Sequence, residues 1–564
     1  MRLARPVLAR AGAAALGHLA IGALATWPML EAPGARLVGH PNVDVWNHAW
    51  GAWWFLESAS RGVFPLYTRL LGAPEGGYLW YIDPLGAAFS MPLVAAFGVV
   101  VAWNVLVYAY VVLASVGGRS LALALGASAA SSWFAALAVA ISPYLLSEVH
   151  NGISEAVGVG WSVLSLAALA RATREGAPIR EWAWVGLWGG LTAVGTVYYA
   201  IGLGLAALPI VLLALARRAR ASAPGVFLGA TVAAAIAVPA FLLVRTTIVD
   251  PSQALIGRPD APLSNPLILA ILRHNAVDPR SFFLPGDFQS VDLTPRGEWF
   301  LHTSYVGYVA LALALWSRRW IWLIAALLPL VFSLGPFLFY DGDWVKSGAK
   351  MVGLPYRVLY VVLPTSALGH PQRTGFPGLA VIYAMAAVGL ARAPGWLTGA
   401  AGVGMAVEFL RFSPAQWPIA RTEAFDDAAA AYIRERVASD PARAGIVLDL
   451  PGDVFGSGMA TSRYLMLQTT HGQPLPYTPD VRVSGCKLGN PAAGVLLRRD
   501  SSGASQVTEA ALALGGVRFI VTHGDLADTS IEERILEPVL GEPARFGKVA
   551  VFAVDPADFE LPAR

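Results

Sequence analysis

Apolar runs of about 20 residues alternate with polar segments along the first 411 positions of the chain. A hydrocarbon core of about 30 Å requires roughly 20 apolar residues in a spanning helix. The pattern therefore predicts an α-helical polytopic membrane protein with about eleven transmembrane helices. We place the spans at residues 8–30, 84–114, 122–143, 155–171, 182–196, 199–216, 224–245, 303–316, 320–336, 376–391 and 396–411.

The first apolar run follows a basic start, as a secretory signal peptide also does. The run is long, and "EAPGA" at residues 31–35 is a weak cleavage site. We therefore predict a retained first helix.

Composition agrees with a membrane protein: 56% of the residues are hydrophobic and 14% are charged, against roughly 25% charged in soluble domains. The net charge is +3, and no Lys/Arg tract indicates nucleic acid as a partner. The single cysteine, Cys486, excludes an internal disulfide framework.

Arginines between the predicted spans fix the expected topology. Those before the first span and after the second, fourth, sixth, eighth and tenth spans all fall on one side if the N-terminus is cytoplasmic, as the positive-inside rule requires. They are Arg2, Arg5, Arg10, Arg119, Arg171, Arg174, Arg180, Arg217, Arg218, Arg220, Arg318, Arg319 and Arg392. Eleven spans then place the C-terminal region outside, together with the long loops 31–83, 246–302 and 337–375. Nucleotides are scarce on that face, which disfavours a nucleotide-consuming reaction.

The chain divides into a membrane domain, residues 1–411, and a small extracytoplasmic α/β domain, residues 412–564. In the second part, "AFDDAAAAYIRERVASDPARAGIVLDLP" and "VTEAALALGGVRFIVTHGD" each predict a helix, a turn and a strand. No Gly-rich phosphate loop, nucleophile elbow or metal-spaced Cys/His set occurs in this sequence. We expect a loop at 467–482 to face the membrane domain.

The stretch "GHPNVDVWNHAWGAWWF", residues 39–55, holds the first candidate chemistry. In a helix, Asp44 and His48 are four residues apart and share a face. Trp46 and Trp50 beside them are candidate substrate-binding residues, because tryptophan rings also stack on sugars. One interpretation is an interfacial helix anchored by its tryptophans. The other assigns Asp44 and His48 to catalysis, because a carboxylate beside a bilayer is costly and indicates function.

The segment "SPYLLSEVHNGISEA", residues 142–156, concentrates polar groups between two spans, with Glu148 and His150 as candidate binding residues. The alternative is a polar turn that caps the next helix.

Farther on, "LPYRVLYVVLP" is too short to span and predicts an interfacial helix. It places Arg357, His370 and Arg373 on the outer face, against the positive-inside trend. Arginine suits phosphate, although snorkelling to lipid headgroups also explains an outer arginine.

Four motifs, "VDVWNHAWGAWW", "SLGP…LPYRVLY…LP…HPQRTGFPG", "RYLMLQTTHGQPL" and "ALGGVRFIVTH", carry a resemblance to known proteins. The chain resembles the GT-C superfamily of membrane glycosyltransferases over nearly its whole length. Within it, the chain looks like a group of bacterial multi-pass proteins and is similar to membrane proteins of the YfhO type.

The resemblance implies a hexosyl or pentosyl transferase that uses a polyprenyl-phosphate sugar donor and an outer-loop carboxylate base. Asp44 matches that carboxylate, and Arg357 and Arg373 match donor-phosphate contacts. Many such enzymes carry a pair of acids early in the first loop, whereas here the next acid after Asp44 is Glu57. No cofactor is therefore assigned, and a divalent metal stays open.

The sequence thus predicts an inverting glycosyltransferase of the bacterial plasma (inner) membrane, with membrane lipid, a lipid-linked donor and a glycan, lipid or protein acceptor as partners. Two alternatives stay open: a transporter or flippase of lipid-linked sugars, and a non-catalytic protein of envelope assembly.

Overall fold

A computed structural model of the chain describes residues 5–79, 83–247, 253–255, 261–288, 299–363, 368–424, 427–452, 459–478, 488–498 and 501–555. Fifteen helices precede residue 413 in these ranges. They are α1 Arg5–Ala25, α2 Val45–Ser60, α3 Pro84–Leu125, α4 Ser132–Ala140, α5 Pro143–His150, α6 Ser154–Val157, α7 Gly160–Ala172, α8 Arg180–Gly195, α9 Val197–Thr247, α10 Pro266–Asn275, α11 Tyr308–Trp316, α12 Trp320–Ser333, α13 Leu359–Val362, α14 Phe376–Leu390 and α15 Gly395–Phe412.

Among the described residues, five helical segments are long and apolar enough to cross a membrane. They are Pro84–Leu125, Ser132–His150, Ser154–Ala172, Val197–Thr247 and Pro371–Leu390, and two shorter apolar helices are Ala11–Ala25 and Trp320–Ser333. Each of the eleven predicted spans overlaps a helix. The number of membrane crossings stays a prediction.

Two of the helices are interrupted internally. Helix α9 leaves helical geometry at Arg218 (φ −150°, ψ 52°), which separates the two spans predicted in it. Helix α3 is interrupted at Gly98, where a φ of 81° favours glycine. It then continues through Arg119 to Leu125, so the boundary predicted at residue 114 is wrong. The Arg119 guanidinium lies 4.6 Å from the centre of the Trp133 ring.

The predicted outer segments contain short strands and helices. Strand β1 (Arg36–Val38) pairs antiparallel with β8 (Arg421–Glu423), which joins the first outer loop to the chain just after α15. Three small hairpins also lie in the predicted outer loops, formed by β2 Tyr67–Thr68 with β3 Gly77–Tyr78, β4 Phe339–Tyr340 with β5 Asp343–Trp344, and β6 Lys346–Ser347 with β7 Lys350–Met351.

The C-terminal region contains a four-stranded sheet of order β11-β12-β10-β9. Strands β9 and β10 are parallel, and the other pairs are antiparallel. The elements are α16 Ala428–Ser439, β9 Ile446–Leu450, α17 Met459–His471, α18 Pro491–Arg498, α19 Glu509–Leu514, β10 Val517–His523, α20 Ser530–Leu540, β11 Ala544–Phe546 and β12 Val549–Ala553. The loop predicted at 467–482 is wrong at its start, because α17 extends to His471.

Helix α2 lies between two hydrophobic cores. Val45, Trp46 and Ala49 belong to the core of the membrane region. Trp50 and Trp54 belong to the core of the C-terminal sheet, which therefore extends into the first outer loop. The predicted interfacial helix is thus buried on both sides instead of lying on lipid.

Gln468 of α17 connects the C-terminal region to the first predicted outer loop by hydrogen bonds. Its Oε1 accepts a hydrogen bond from Trp50 Nε1 at 2.8 Å, and its Nε2 donates to the carbonyls of Leu70 at 2.6 Å and Gln473 at 2.9 Å. The side chain is completely buried, so these bonds have no competition from water.

We expect Gln468→Leu to destabilise the docked C-terminal region, because it leaves buried polar groups without partners at about 1–3 kcal/mol each. Thermal unfolding in detergent and limited proteolysis measure the effect. Thr470→Val, two residues along the same helix at an exposed hydrogen bond, is the control and should change stability by less than about 0.5 kcal/mol. Equal stability of the two variants would contradict the assignment.

Candidate functional site

The N-terminus of α2 carries the predicted acid. Asp44 is the residue before the first helical turn and is half-buried. Its Oδ1 lies 3.5 Å from Asn47 Nδ2, which donates to it. Gly152, with a φ of +64°, packs on the same helix start, where a Cβ would lie 2.7 Å from the backbone nitrogen of Val45. The second predicted cluster therefore reaches the end of α2 that carries Asp44.

A stack of aromatic rings joins three outer segments beside Asp44. The His40 ring lies 5.0 Å from that of His150 and 5.3 Å from that of Trp299, and both pairs are stacked. The amide of His40 donates to the His150 carbonyl at 2.9 Å, and the Trp299 amide donates to the Asn42 carbonyl at 3.0 Å. Burial, with Arg463 nearby, lowers the pKa of His40, so this ring is neutral at pH 7.

Arg463 brings the C-terminal region to the same corner. Its Nη2 donates to Asn42 Oδ1 at 2.7 Å. Asn42 therefore contacts Arg463 through its side chain and Trp299 through its backbone, two residues before Asp44. Four separate parts of the chain meet around the start of α2.

A buried polar network lies one helical turn deeper. His48 Nδ1 is 3.1 Å from Ser154 Oγ and 3.6 Å from Glu155 Oε2. Glu155 Oε1 accepts from Arg373 Nη1 at 2.8 Å. His48, Glu155 and Arg373 are each at most 5% exposed, so the ion pair has little screening by water.

Glu148 adds a further buried acid near this pair. The residue is 1% exposed, and one of its carboxylate oxygens has no hydrogen-bond partner among the described residues. Tyr144 and Tyr199, also buried, lie close by with their hydroxyls 2.9 Å apart.

Asp83 approaches the network from the start of α3. Its Oδ1 accepts from the Gly86 amide at 2.8 Å and from the Tyr110 hydroxyl at 3.2 Å. Burial raises the pKa of Asp83 to about 6, with the Glu155 charge acting in the same direction and the Gly86 bond opposing both. Burial also lowers the pKa of His48, while Glu155 and Asp83 oppose that shift.

The remaining predicted residues lie apart from Asp44 or inside the core. Trp46 and Trp50 are each 1% exposed and donate hydrogen bonds to the Pro41 carbonyl and to Gln468. Their ring faces are therefore covered by protein, which does not fit the predicted contact with a sugar.

The third predicted cluster is split. Arg357 is exposed, and its guanidinium lies 5.4 Å from the Phe337 ring centre. His370 is half-buried, with Nδ1 3.3 Å from the Tyr198 hydroxyl. Arg373 is buried in its ion pair with Glu155. Its role as a phosphate contact stays a prediction, as does that of Arg357.

Across the described ranges, no group of three or more His, Cys, Asp and Glu side chains has an arrangement that holds a metal ion.

The structure adds residues that the sequence analysis did not select: His40, Asn42, Asp83, Glu155, Trp299 and Arg463. Asp83 precedes Pro84 at a helix start, which is a recognisable capping signal. Arg463 opens the motif "RYLMLQTTHGQPL". For the other residues, the only local signal is a polar or aromatic side chain in an outer loop.

We expect Arg373→Met to cost about 3–5 kcal/mol of stability, because it leaves the Glu155 carboxylate buried without its cation. The double variant Glu155→Leu/Arg373→Met should cost less than the sum of the two single changes. Chemical denaturation in detergent measures all three. Arg61→Met at the surface pair with Glu57 is the control, at about 0–1 kcal/mol; an equal cost at both sites would refute the role of burial.

Because the pKa of Asp83 is raised, we expect the free energy of unfolding to depend on pH. Its pKa rises from 3.8 to about 6 on folding, so the folded state binds this proton more tightly than the unfolded state. Its contribution to stability is therefore largest below pH 4 and falls as the pH rises to 6. Between pH 4 and pH 7, wild type should lose about 2 kcal/mol relative to Asp83→Asn. Thermal unfolding of both proteins from pH 4 to 7 tests this, and a constant difference would count against it.

No protein-family model and no curated protein matches the chain. Solved structures match it over almost its whole length. The cryo-EM structure of the arabinofuranosyltransferase AftD from Mycobacteria is 18% identical with a TM-score of 0.52, and the match covers 99% of this chain and 40% of AftD. The crystal structure of ArnT from Cupriavidus metallidurans in the apo state is 15% identical with a TM-score of 0.51, covering 97% and 99% of the two chains.

The chain thus spans about two fifths of the length of AftD and nearly the full length of ArnT. At these identities the likeness concerns the fold. The resemblance drawn from the sequence is confirmed at that level: the chain has a fold like those of AftD and ArnT.

Proposed function

We propose that this chain is an integral membrane glycosyltransferase that moves a pentosyl or hexosyl group from a polyprenyl-phosphate donor to an acceptor hydroxyl. We place the reaction on the extracytoplasmic face of a bacterial plasma membrane, with the N-terminus cytoplasmic and eleven membrane crossings. The GT-C-like fold supports the reaction class, and the name of AftD, an arabinofuranosyltransferase, supports a sugar as the transferred group. The sidedness rests on the arginines between the spans.

The position of Asp44 carries the proposal. The carboxylate is half-buried at the start of α2, where the predicted outer segments around His40, His150 and Trp299 converge. Arg463 of the C-terminal region reaches the same corner through Asn42. A general base needs this kind of position, held by surrounding elements and open enough to reach a substrate hydroxyl.

The proposed reaction is an inverting displacement. Asp44 takes the proton of the acceptor hydroxyl while the acceptor oxygen forms a bond to the anomeric carbon of the sugar. The bond from that carbon to the phosphate oxygen breaks, and polyprenyl phosphate leaves with the electron pair. Positive side chains at the outer face then stabilise the phosphate charge as it grows.

The buried polar network around His48 holds the start of α2 in position. His48 follows Asp44 by one helical turn; Ser154 and Glu155 lie beside its ring, and Arg373 pairs with Glu155. In this arrangement His48 orients α2, and its part in catalysis is to keep Asp44 in place. This departs from the direct catalytic role that the sequence suggests for His48, because the ring is only 3% exposed.

A transporter of lipid-linked sugars is the second candidate, because Glu148, Glu155 and Arg373 are charges buried in candidate spans. Each lies near an end of its segment, within Ser132–His150, Ser154–Ala172 and Pro371–Leu390. Transport sites in membrane proteins lie near the midplane, so these positions favour the transferase.

We expect Asp44→Asn to reduce sugar transfer by about 10²–10⁴-fold, since a neutral amide does not accept the acceptor proton. The measurement is transfer in proteoliposomes supplied with polyprenyl-phosphate pentose or hexose. Glu57→Gln, at the far end of the same helix in a surface pair with Arg61, is the matched control and should retain wild-type activity. An unaltered rate in Asp44→Asn would remove the base assignment, and the non-catalytic alternative predicts no transfer by any of the proteins.

A further inference from the structure

We propose that Arg463 is the phosphate-binding residue of this site, so that the C-terminal region completes the donor site beside Asp44. The inference rests on the proposed function and extends it. It assigns a ligand, a phosphate monoester or diester, to a side chain of the outer region.

The contacts of Arg463 leave much of its guanidinium available. Nη2 donates to the neutral amide oxygen of Asn42 at 2.7 Å. Nε is buried and has no hydrogen-bond partner in the described part of the chain. Within those same ranges, no carboxylate lies within 4.0 Å of its nitrogens.

Three other arginines of the fold have acid partners. Arg373 pairs with Glu155, Arg421 with Glu31, and Arg443 with Asp440. Burial lowers the pKa of Arg463, as expected when a cation loses water, and Tyr464 and Asp525 oppose that shift without forming an ion pair with it. A guanidinium keeps its charge in proteins, and the charge therefore favours an incoming anion.

The docking of α17 fixes where this charge lies. Arg463 meets Asn42 near the start of α2, and Gln468 meets Trp50 farther along it, so the two helices run side by side in the same direction. The guanidinium thus reaches the end of α2 where the helix amides point outward. Positive charge from the helix dipole adds there to that of the arginine.

The two arginines predicted to bind phosphate are placed less favourably for this role than Arg463. Arg373 is committed to Glu155 beneath the surface, and Arg357 lies on the exposed interfacial segment. Arg463 donates a hydrogen bond to Asn42, which precedes Asp44 by two residues. An inverting transfer requires the leaving phosphate on one side of the anomeric carbon and the base on the other, so in this arrangement the sugar lies between Arg463 and Asp44.

The experiment measures binding without sugar transfer. Full-length protein in detergent is titrated with undecaprenyl phosphate, with undecaprenol, which lacks the phosphate, and with inorganic phosphate. Wild type should bind undecaprenyl phosphate roughly ten- to a hundredfold more tightly than undecaprenol, as expected for hydrogen bonds to a charged group. Arg463→Gln should bind both lipids equally, and Arg463→Lys should retain part of the preference.

Arg518→Gln is the matched control. Arg518 is also half-buried in the C-terminal region, where its Nη1 donates to backbone carbonyls of Ala513 and Val517. It lies at the start of β10, and its loss should leave the preference for phosphate unchanged. Thermal unfolding of each variant checks that the outer region remains docked.

The outcomes separate this inference from the proposed function. A full phosphate preference in Arg463→Gln overturns the role of Arg463, whatever the effect of Asp44→Asn on transfer. Equal loss in Arg463→Gln and Arg518→Gln also overturns it, since the effect is then general. If inorganic phosphate binds as tightly as the lipid and depends on Arg463, the site binds free phosphate and the lipid source is refuted. Loss of preference in Arg463→Gln alone, with the Asp44→Asn transfer rate unaltered, supports the phosphate site and removes the base.

Discussion

The ion pair between Glu155 and Arg373 is the interaction on which the outer end of the helical bundle depends. Both groups are buried, so each requires the other, and their side chains join the turn before α7 to the start of α14. His48 lies 3.6 Å from the same carboxylate, which extends the tie to α2. Three distant parts of the chain are held in one place by a single buried charge pair.

Helix α2 transmits that constraint to the surface. Its inner face packs in the membrane core and its other face in the core of the C-terminal sheet, and Gln468 joins the two by hydrogen bonds. With both faces covered, the helix has little freedom to shift. Its first turn, with Asp44, is consequently fixed relative to both parts of the protein.

This arrangement suits a reaction that couples a lipid-borne group to a polar acceptor. Membrane helices hold the apolar part of such a substrate, while the chemistry requires a base and an anion-binding group at the water interface. The corner formed by Asn42, Asp44 and Arg463 offers both kinds of group. It is built from two segments that lie 421 residues apart along the chain, which explains why no compact sequence motif marks it.

The sequence by itself determined the helical class, the approximate positions of the apolar helices, and the helices and strands of the C-terminal region. Hydropathy and β-branched runs are local properties, so these elements are readable from short windows. The polar start of α2 was visible in the same way. Only the tertiary structure decided that Trp46 and Trp50 are buried. Trp46 lies in the core of the membrane region, and α17 covers Trp50 from a position 418 residues away at Gln468.

The partners of the charged groups were likewise decided only by the tertiary structure. Arg373 and Glu155 are 218 residues apart, and Arg463 and Asn42 are 421 apart. A sequence places an arginine in a predicted outer loop, but its role depends on whether packing gives it an acid. For Arg373 packing supplies Glu155. For Arg463 it supplies a neutral amide, and that difference, set by helix packing, separates a structural arginine from one suited to bind a ligand.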